Sequence, residues 1–253
     1  IMIEILILSL VQGITEFLPV SSSSHLIIIS EFIDFDEKSL SIDVSLHIGS
    51  FLAVLVFFRK EIINFIENKD LLIKILVSSI PVMIVGLIVV ETNLIAALRN
   101  IKIIGWMTIV FGIILYISDR FKLEKDIGKN FNFKSALIIG FFQIISLVPG
   151  VSRSGITITA ARLLNFKRYD AAKISFLLSI PTLGAVSFFG IRNIIFFDDV
   201  SFSQLNLISI ILSFVFSLGT IKFFLKFIQS FSLIIFVIYR VILGSVVLYF
   251  AYL

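Results

Sequence analysis

The chain has 253 residues, 58% of them hydrophobic and only 15% charged, and its mean hydropathy is +1.12. A soluble domain carries about 25% charged residues, so so few charges exclude a water-soluble globule and indicate an integral membrane protein. The net charge of +4 is read as loop charge flanking membrane spans rather than a nucleic-acid footprint, while zero Cys and two His exclude disulfides, thiolate metal sites, cysteine nucleophiles and a multi-histidine zinc centre.

The apolar runs are unbroken over roughly 15–22 residues, which predicts helices rather than the alternating ten-residue strands of a transmembrane barrel. Residues 1–30 run apolar to Leu18, break at Pro19, pass through Ser21-Ser22-Ser23-Ser24-His25 and resume as Leu26-Ile27-Ile28-Ile29. No basic segment precedes the first run, so it is not expected to be a cleaved signal peptide. Each arm is too short to cross ~30 Å of hydrocarbon. A re-entrant helical hairpin is predicted, since non-helical backbone persists at membrane depth only where it is buried in protein or lines a cavity. Three spans follow, at 44–58, 71–90 and 103–118. Residues 133–164 repeat the first pattern, with the break at Pro149-Gly150 and a polar stretch Ser152-Arg153-Ser154-Gly155. Three more spans are predicted at 171–191, 207–228 and 232–253.

The two hairpins align at a constant shift of 131: Gln12 falls on Gln143, Ser21 on Ser152, Ser22 on Arg153 and Ser23 on Ser154. The expected fold is therefore all-α and integral to the membrane, one polytopic domain of six transmembrane helices and two re-entrant hairpins. Its halves, 1–119 and 133–253, form an inverted-topology repeat because three spans is an odd number. Charge placement agrees with that layout. Fifteen Lys and Arg residues fall on one side, from Arg59 through Lys125 to Lys226, against Lys38, Arg99, Lys102 and Arg192 on the other. The positive-inside rule makes the richer side cytoplasmic and places both termini, with the acidic loop Glu31–Asp43, outside.

Ionisable groups inside a membrane are costly and functional by default. Gln12 and Glu16 are four apart and share a helix face. They are either a packing hydrogen bond or hard ligands for Mg²⁺ or Ca²⁺ beside a phosphate. The serine run reads as a cap and turn or as a site in which Ser22 is a nucleophile and His25 its base or a leaving-group acid; spacing does not divide those roles. Pro149-Gly150-Val151-Ser152-Arg153-Ser154-Gly155-Ile156-Thr157 is more specific. Pro and Gly end one helix, Ser152 caps the next, and the new N-terminus with the Arg153 fork makes an anion site. Asp43 and His47, four apart, and Asp170 read as helix braces, and Arg240 has no partner legible in the sequence.

At these residues the chain resembles the bacterial undecaprenyl-diphosphatase family, also called bacitracin-resistance proteins. The resemblance rests on Gln12-Gly13-Ile14-Thr15-Glu16-Phe17-Leu18-Pro19-Val20-Ser21-Ser22-Ser23-Ser24-His25 and on Pro149 to Thr157, with support from Asp43-Val44-Ser45-Leu46-His47-Ile48-Gly49 and Ser79-Ile80-Pro81. It implies a multi-pass enzyme of the bacterial plasma membrane that hydrolyses undecaprenyl diphosphate to undecaprenyl phosphate, recycling the lipid carrier of cell-wall synthesis. It also implies roles: Glu16 and Gln12 for metal and catalysis, Ser22 and His25 at the phosphate, and Ser152, Arg153 and Thr157, with Ser21 and Ser154 beside them, for the diphosphate. Gln12 stands where some relatives carry a second Glu, and Ser24 where Gly is usual. The expected partners are a polyprenyl diphosphate and the bilayer, without nucleic acid; the oligomeric state is left open, a homodimer included. The rival reading is a transporter or flippase of a phosphorylated lipid or small anion, which needs an anion cradle but no buried nucleophile and acid–base set.

Overall fold

The computed structural model describes residues 2–32, 39–65, 69–92, 94, 98–196 and 203–253; the expectations for Lys38, for stretch 33–38 of the acidic loop and for the side chain of Ser23 lie outside the described residues. Among those residues every regular element is a helix. In chain order they are α1 (Met2–Thr15), α2 (Ser22–Phe32), α3 (Ser39–Phe57), α4 (Lys69–Glu91), α5 (Ile101–Asp119), α6 (Phe133–Ile144), α7 (Arg153–Leu163), α8 (Arg168–Phe196), α9 (Gln204–Ser230) and α10 (Ile234–Tyr252). Short helical turns lie at Arg59–Asn64 and Ile127–Asn130.

Among the described residues, five helices are long and apolar enough to cross a membrane: α4, α5, Arg168–Arg192 of α8, α9 and α10. Shorter apolar helices run over Met2–Thr15, Ser41–Phe57 and Phe133–Leu147. The expected span 44–58 thus falls in one of the shorter helices. Ile84, Ile88, Phe188, Phe223 and Ile242 are exposed on the long helices, as hydrocarbon solvent requires. The chain is a multi-pass membrane protein.

The helix breaks are where proline predicts them. Helix α1 stops at Thr15, the chain turns through Pro19, and α2 starts at Ser22; helix α6 passes into a 3₁₀ turn at Ile145–Leu147 before Pro149 and α7. Both turns close on a non-glycine residue in the left-handed region, Ser21 (φ 77°) and Ser152 (φ 74°). L-residues visit that region at a cost of about 1–2 kcal/mol, and these two serines are equivalent at the shift of 131. Packing is reciprocal in the same sense. Helix α1 packs on α9 and α6 on α4, while α3 meets α8 and α5 meets α10. Small residues permit the first two approaches: a Cβ on Gly13 would sit 2.6 Å from Phe216 Cβ, and one on Gly140 would sit 2.4 Å from the Ser78 carbonyl oxygen.

The two ends of the bundle differ. At one, Asp119 accepts from Nε and Nη2 of Arg168 (2.7 and 2.9 Å) and from the Leu233 amide (3.2 Å), with Arg162 beside it at 3.4 Å. Nearby, exposed Lys167 donates to Asp126 at 2.8 Å, and that hydrogen bond raises the ammonium above its ordinary value. At the other end Lys102 lies over the Tyr252 ring, 4.4 Å from its centroid. Between them an aromatic core anchors the first turn: Phe17 meets Phe176 edge-on at 5.3 Å, and Phe224 continues the stack at 5.8 Å. Glu16 is thereby fixed one residue from a fully buried anchor.

Candidate active site

Bringing the two turns together builds one polar centre. Glu16, at the end of α1, is 7% exposed. Arg153 Nη2 donates to its Oε1 at 2.7 Å; Ser22 Oγ and Gln12 Nε2 donate to its Oε2 at 2.8 and 3.1 Å. Arg153 Nη1 also reaches the Ser175 carbonyl at 3.2 Å. The arginine of the second turn is therefore paired with the carboxylate of the first. Burying one charge alone in such surroundings costs several kcal/mol, and the pair with its extra donors offsets that.

The second turn is shaped by its serines. Ser152 Oγ accepts from the Gly155 amide at 3.1 Å, the expected N-cap of α7, and Ser154 Oγ donates across to the Leu18 carbonyl of the first turn at 2.7 Å. Arg240 accounts for the rest. Fully buried, it donates from Nε to the Thr108 carbonyl (3.0 Å), from Nη1 to those of Val151 (3.0 Å) and Pro19 (3.3 Å), and from Nη2 to those of Gly150 (2.8 Å) and Met107 (3.5 Å). One guanidinium in α10 thus ties both turns to α5.

A cavity of about 550 Å³ opens over this centre. Glu16, Ser21, Ser22, Ser152 and Arg153 stand on its wall, together with Thr15, His47, Ser146 and Thr182. Its remaining wall is apolar: Val82, Met83, Gly86, Leu87 and Val90 of α4 face Leu183, Val186 and Phe189 of α8. Each wall helix carries the same triplet, Ser79-Ile80-Pro81 and Ser179-Ile180-Pro181, and the lining begins just after the proline. Gln12 lies behind Glu16.

Three residues singled out in the sequence stand off this wall. His25 has both ring nitrogens occupied, Nδ1 by the Ser21 carbonyl at 2.6 Å and Nε2 by Tyr239 Oη at 2.5 Å, with its ring stacked on Tyr239. Thr157 Oγ1 lies 2.8 Å from the Arg153 carbonyl and 2.7 Å from Ser175 Oγ, fully buried. Ser154 is committed to Leu18. These two brace the turns. His47, read with Asp43 as a helix brace, also faces Gln12, Nδ1 to Nε2 at 3.1 Å.

Among the described residues no three His, Asp or Glu side chains converge, so a fully protein-ligated ion does not fit. Gln12 Oε1, however, is buried without a partner beside Glu16. One carboxylate and one free amide oxygen are the partial set with which Mg²⁺ is held when substrate phosphates supply the rest.

Comparison with known proteins gives the family. The family model for bacitracin resistance protein BacA matches residues 5–246. The chain belongs to that family. An undecaprenyl-diphosphatase of Pelagibacter ubique (strain HTCC1062) is 52% identical over 245 residues, covering 96% of this chain and 95% of the relative. Undecaprenyl-diphosphatases of Hahella chejuensis (39% over 268 residues; 99% and 98% covered) and Jannaschia sp. strain CCS1 (36% over 259 residues; 97% of each) match along the same length. The BacA-family match thus spans both turns, the helices that wall the cavity, and Arg240.

Proposed function

We propose that this chain is the membrane phosphatase that hydrolyses undecaprenyl diphosphate to undecaprenyl phosphate and inorganic phosphate. The observation that carries the chemistry is the run Ser22–Glu16–Arg153, in which one carboxylate accepts from a serine hydroxyl at 2.8 Å and from a guanidinium at 2.7 Å. In this reading Arg153 exchanges Glu16 for the terminal phosphate, and Glu16 takes the Ser22 proton. Ser22 Oγ attacks the terminal phosphorus, the anhydride P–O bond breaks, and the lipid monophosphate leaves. The proton on Glu16 passes to the departing lipid phosphate; Glu16 then takes a proton from the attacking water and gives it to Ser22 Oγ as the phosphoserine P–O bond breaks, releasing phosphate and restoring the serine. Arg153 and the N-terminus of α7 stabilise charge on the phosphate oxygens. Mg²⁺ or Ca²⁺, if used, would be held by Glu16 and Gln12 Oε1 with the diphosphate, and when bound supplies charge neutralisation. The apolar wall suits the isoprenoid tail. A transporter needs no hydroxyl aimed at a carboxylate.

The same reading places the chain in the bacterial plasma membrane as an inverted repeat, with hairpins α1–α2 and α6–α7 entering from opposite faces and both termini outside the cytoplasm. The equivalent left-handed serines and the reciprocal packing of α1 on α9 and α6 on α4 support it.

Purified protein in detergent, given a polyprenyl diphosphate with and without chelator, should release one phosphate per substrate, and Ser22→Ala should abolish release. Phosphate release by Ser22→Ala at the parent rate would remove the serine from the reaction. An inert parent, with Mg²⁺ and Ca²⁺ supplied, would favour the transporter.

A further inference from the structure

A histidine outside the serine motif stands at the cavity, and its hydrogen-bond orientation is set by the site itself. His47 belongs to α3, and its Nδ1 lies 3.1 Å from Gln12 Nε2; the same amide nitrogen lies 3.1 Å from Glu16 Oε2. A carboxylate only accepts hydrogen bonds, so Gln12 must turn its –NH₂ toward Glu16. The reversed amide would set its oxygen against the carboxylate; in the orientation present, Oε1 is the atom left over, buried and unpartnered. The second amide hydrogen then points at His47 Nδ1. A donor there requires Nδ1 to be the bare nitrogen, which puts the imidazole proton on Nε2. That nitrogen has no bond to any described residue, and His47 is part of the cavity wall. His25 is the reverse case. The Ser21 carbonyl can only accept, so His25 carries its proton on Nδ1, and Tyr239 Oη donates to its Nε2.

We propose that His47 is a substrate-binding residue of this enzyme. It donates one hydrogen bond from Nε2–H to an oxygen of the bound diphosphate, and Glu16 fixes the ring's orientation through Gln12. The inference rests on the phosphatase reading for its ligand, not for the tautomer. Arg153 supplies charge at one side of the cavity; His47 supplies a directed donor at another, from a helix that carries none of the serine or arginine motif. A phosphate held at two fixed directions is oriented for in-line displacement, which charge alone does not achieve.

Two measurements test this on the full chain. In ¹⁵N-histidine NMR there are only two histidines, and His47→Gln assigns them by deletion. The His47 signals should show a protonated Nε2 and a bare Nδ1, and the Nε2 signal should shift on addition of a farnesyl methylenediphosphonate, which cannot be hydrolysed. A protonated Nδ1 with bare Nε2, or no shift at saturating ligand, would overturn the proposal. In the phosphate-release assay, the glutamine amide nitrogen reaches about where Nε2 stands. His47→Gln should therefore stay within about threefold of the parent, whereas His47→Leu should lose about 10- to 100-fold in kcat/KM, the range of one hydrogen bond to a charged group. Thermal unfolding is followed in parallel, and the loss in His47→Leu should appear without a matching drop in Tm. Parent-like activity in His47→Leu, or His47→Gln as impaired as His47→Leu at unchanged Tm, would reject the donor role. A parent that releases no phosphate would count against the phosphatase reading alone, because the NMR shift reports binding without turnover.

Discussion

Glu16 receives three donors from three directions, and the site's chemistry depends on that convergence. Replacing it by Gln keeps the shape and the hydrogen-bond capacity but leaves Arg153, 14% exposed, facing a neutral amide. Phosphate release should fall by about 10²-fold or more, the scale of acid–base contributions; an unchanged rate would remove Glu16 from proton transfer. Arg153→Lys is the complementary change. The guanidinium reaches Glu16 and the Ser175 carbonyl with separate nitrogens, and a lysine ammonium presents a single point in place of that planar fork. Turnover should fall by about 10²- to 10³-fold, the worth of a donor in a dry site, with lipid binding less affected than kcat; parent-like turnover would reject the clamp. The five wall residues Glu16, Ser21, Ser22, Ser152 and Arg153 were legible in the sequence because each is polar where an apolar run breaks. His47 was not, because its near neighbour in sequence is Asp43 and its partner Gln12 is 35 residues away. Thr157 shares the motif of Arg153, but one helical turn later its hydroxyl faces back onto α7 and α8 rather than into the cavity.

Among the elements, the two broken hairpins are held by a residue that belongs to neither. The acceptors of Arg240 are backbone carbonyls of Pro19, Met107, Thr108, Gly150 and Val151. Backbone acceptors leave no trace in side-chain chemistry, so no pattern in the sequence could have predicted the clamp. Arg240→Met should strip donors from turns that have no water to replace them, at about 1–3 kcal/mol for each buried group left unpaired. For the three turn carbonyls of Pro19, Gly150 and Val151 that is about 3–9 kcal/mol, comparable with the whole margin of a typical fold, so the yield of folded protein should collapse; Arg240→Lys should fold with a lowered Tm in detergent. A Tm for Arg240→Met equal to the parent would show that the carbonyls find other partners. Helices α4 and α8 make a different prediction. A Cβ on Gly86 would meet only Leu147 Cδ2, at 3.7 Å, so a larger side chain there extends into the apolar part of the cavity. Gly86→Leu should slow hydrolysis of an undecaprenyl substrate several-fold more than that of a short prenyl diphosphate. Equal loss on both would place the tail elsewhere.

At the scale of the whole molecule, proline and serine spacing carries the expectation of a repeat, and lysine and arginine placement the expectation of an orientation. The hairpins were readable because a proline and a polar run inside apolar sequence leave arms too short to span. Which helix of one half packs on which helix of the other was not, because apolar faces solvated by lipid look alike on every side. The structure separates the ends that charge counting only sorted. Asp119, Arg162, Arg168 and Leu233 converge at one end, from helices α5, α7 and α8 and the start of α10, while Lys102 and Tyr252 meet at the other. If the first end is cytoplasmic, Lys122 is inside and Gln204, exposed at the start of α9, is outside. The chain has no native cysteine, so Lys122→Cys and Gln204→Cys each carry one reporter thiol. A membrane-impermeant maleimide added to intact cells, with the outer envelope permeabilised where there is one, should label Gln204→Cys at once and Lys122→Cys only after the plasma membrane is opened. Lys122 follows α5, the last helix of one half, and Gln204 opens α9 of the other, so the pair tests the inversion as well as the orientation. Labelling of both thiols from outside would break the inverted layout, and exchange of the two outcomes would keep the layout but turn the molecule over, against fifteen positive charges to four.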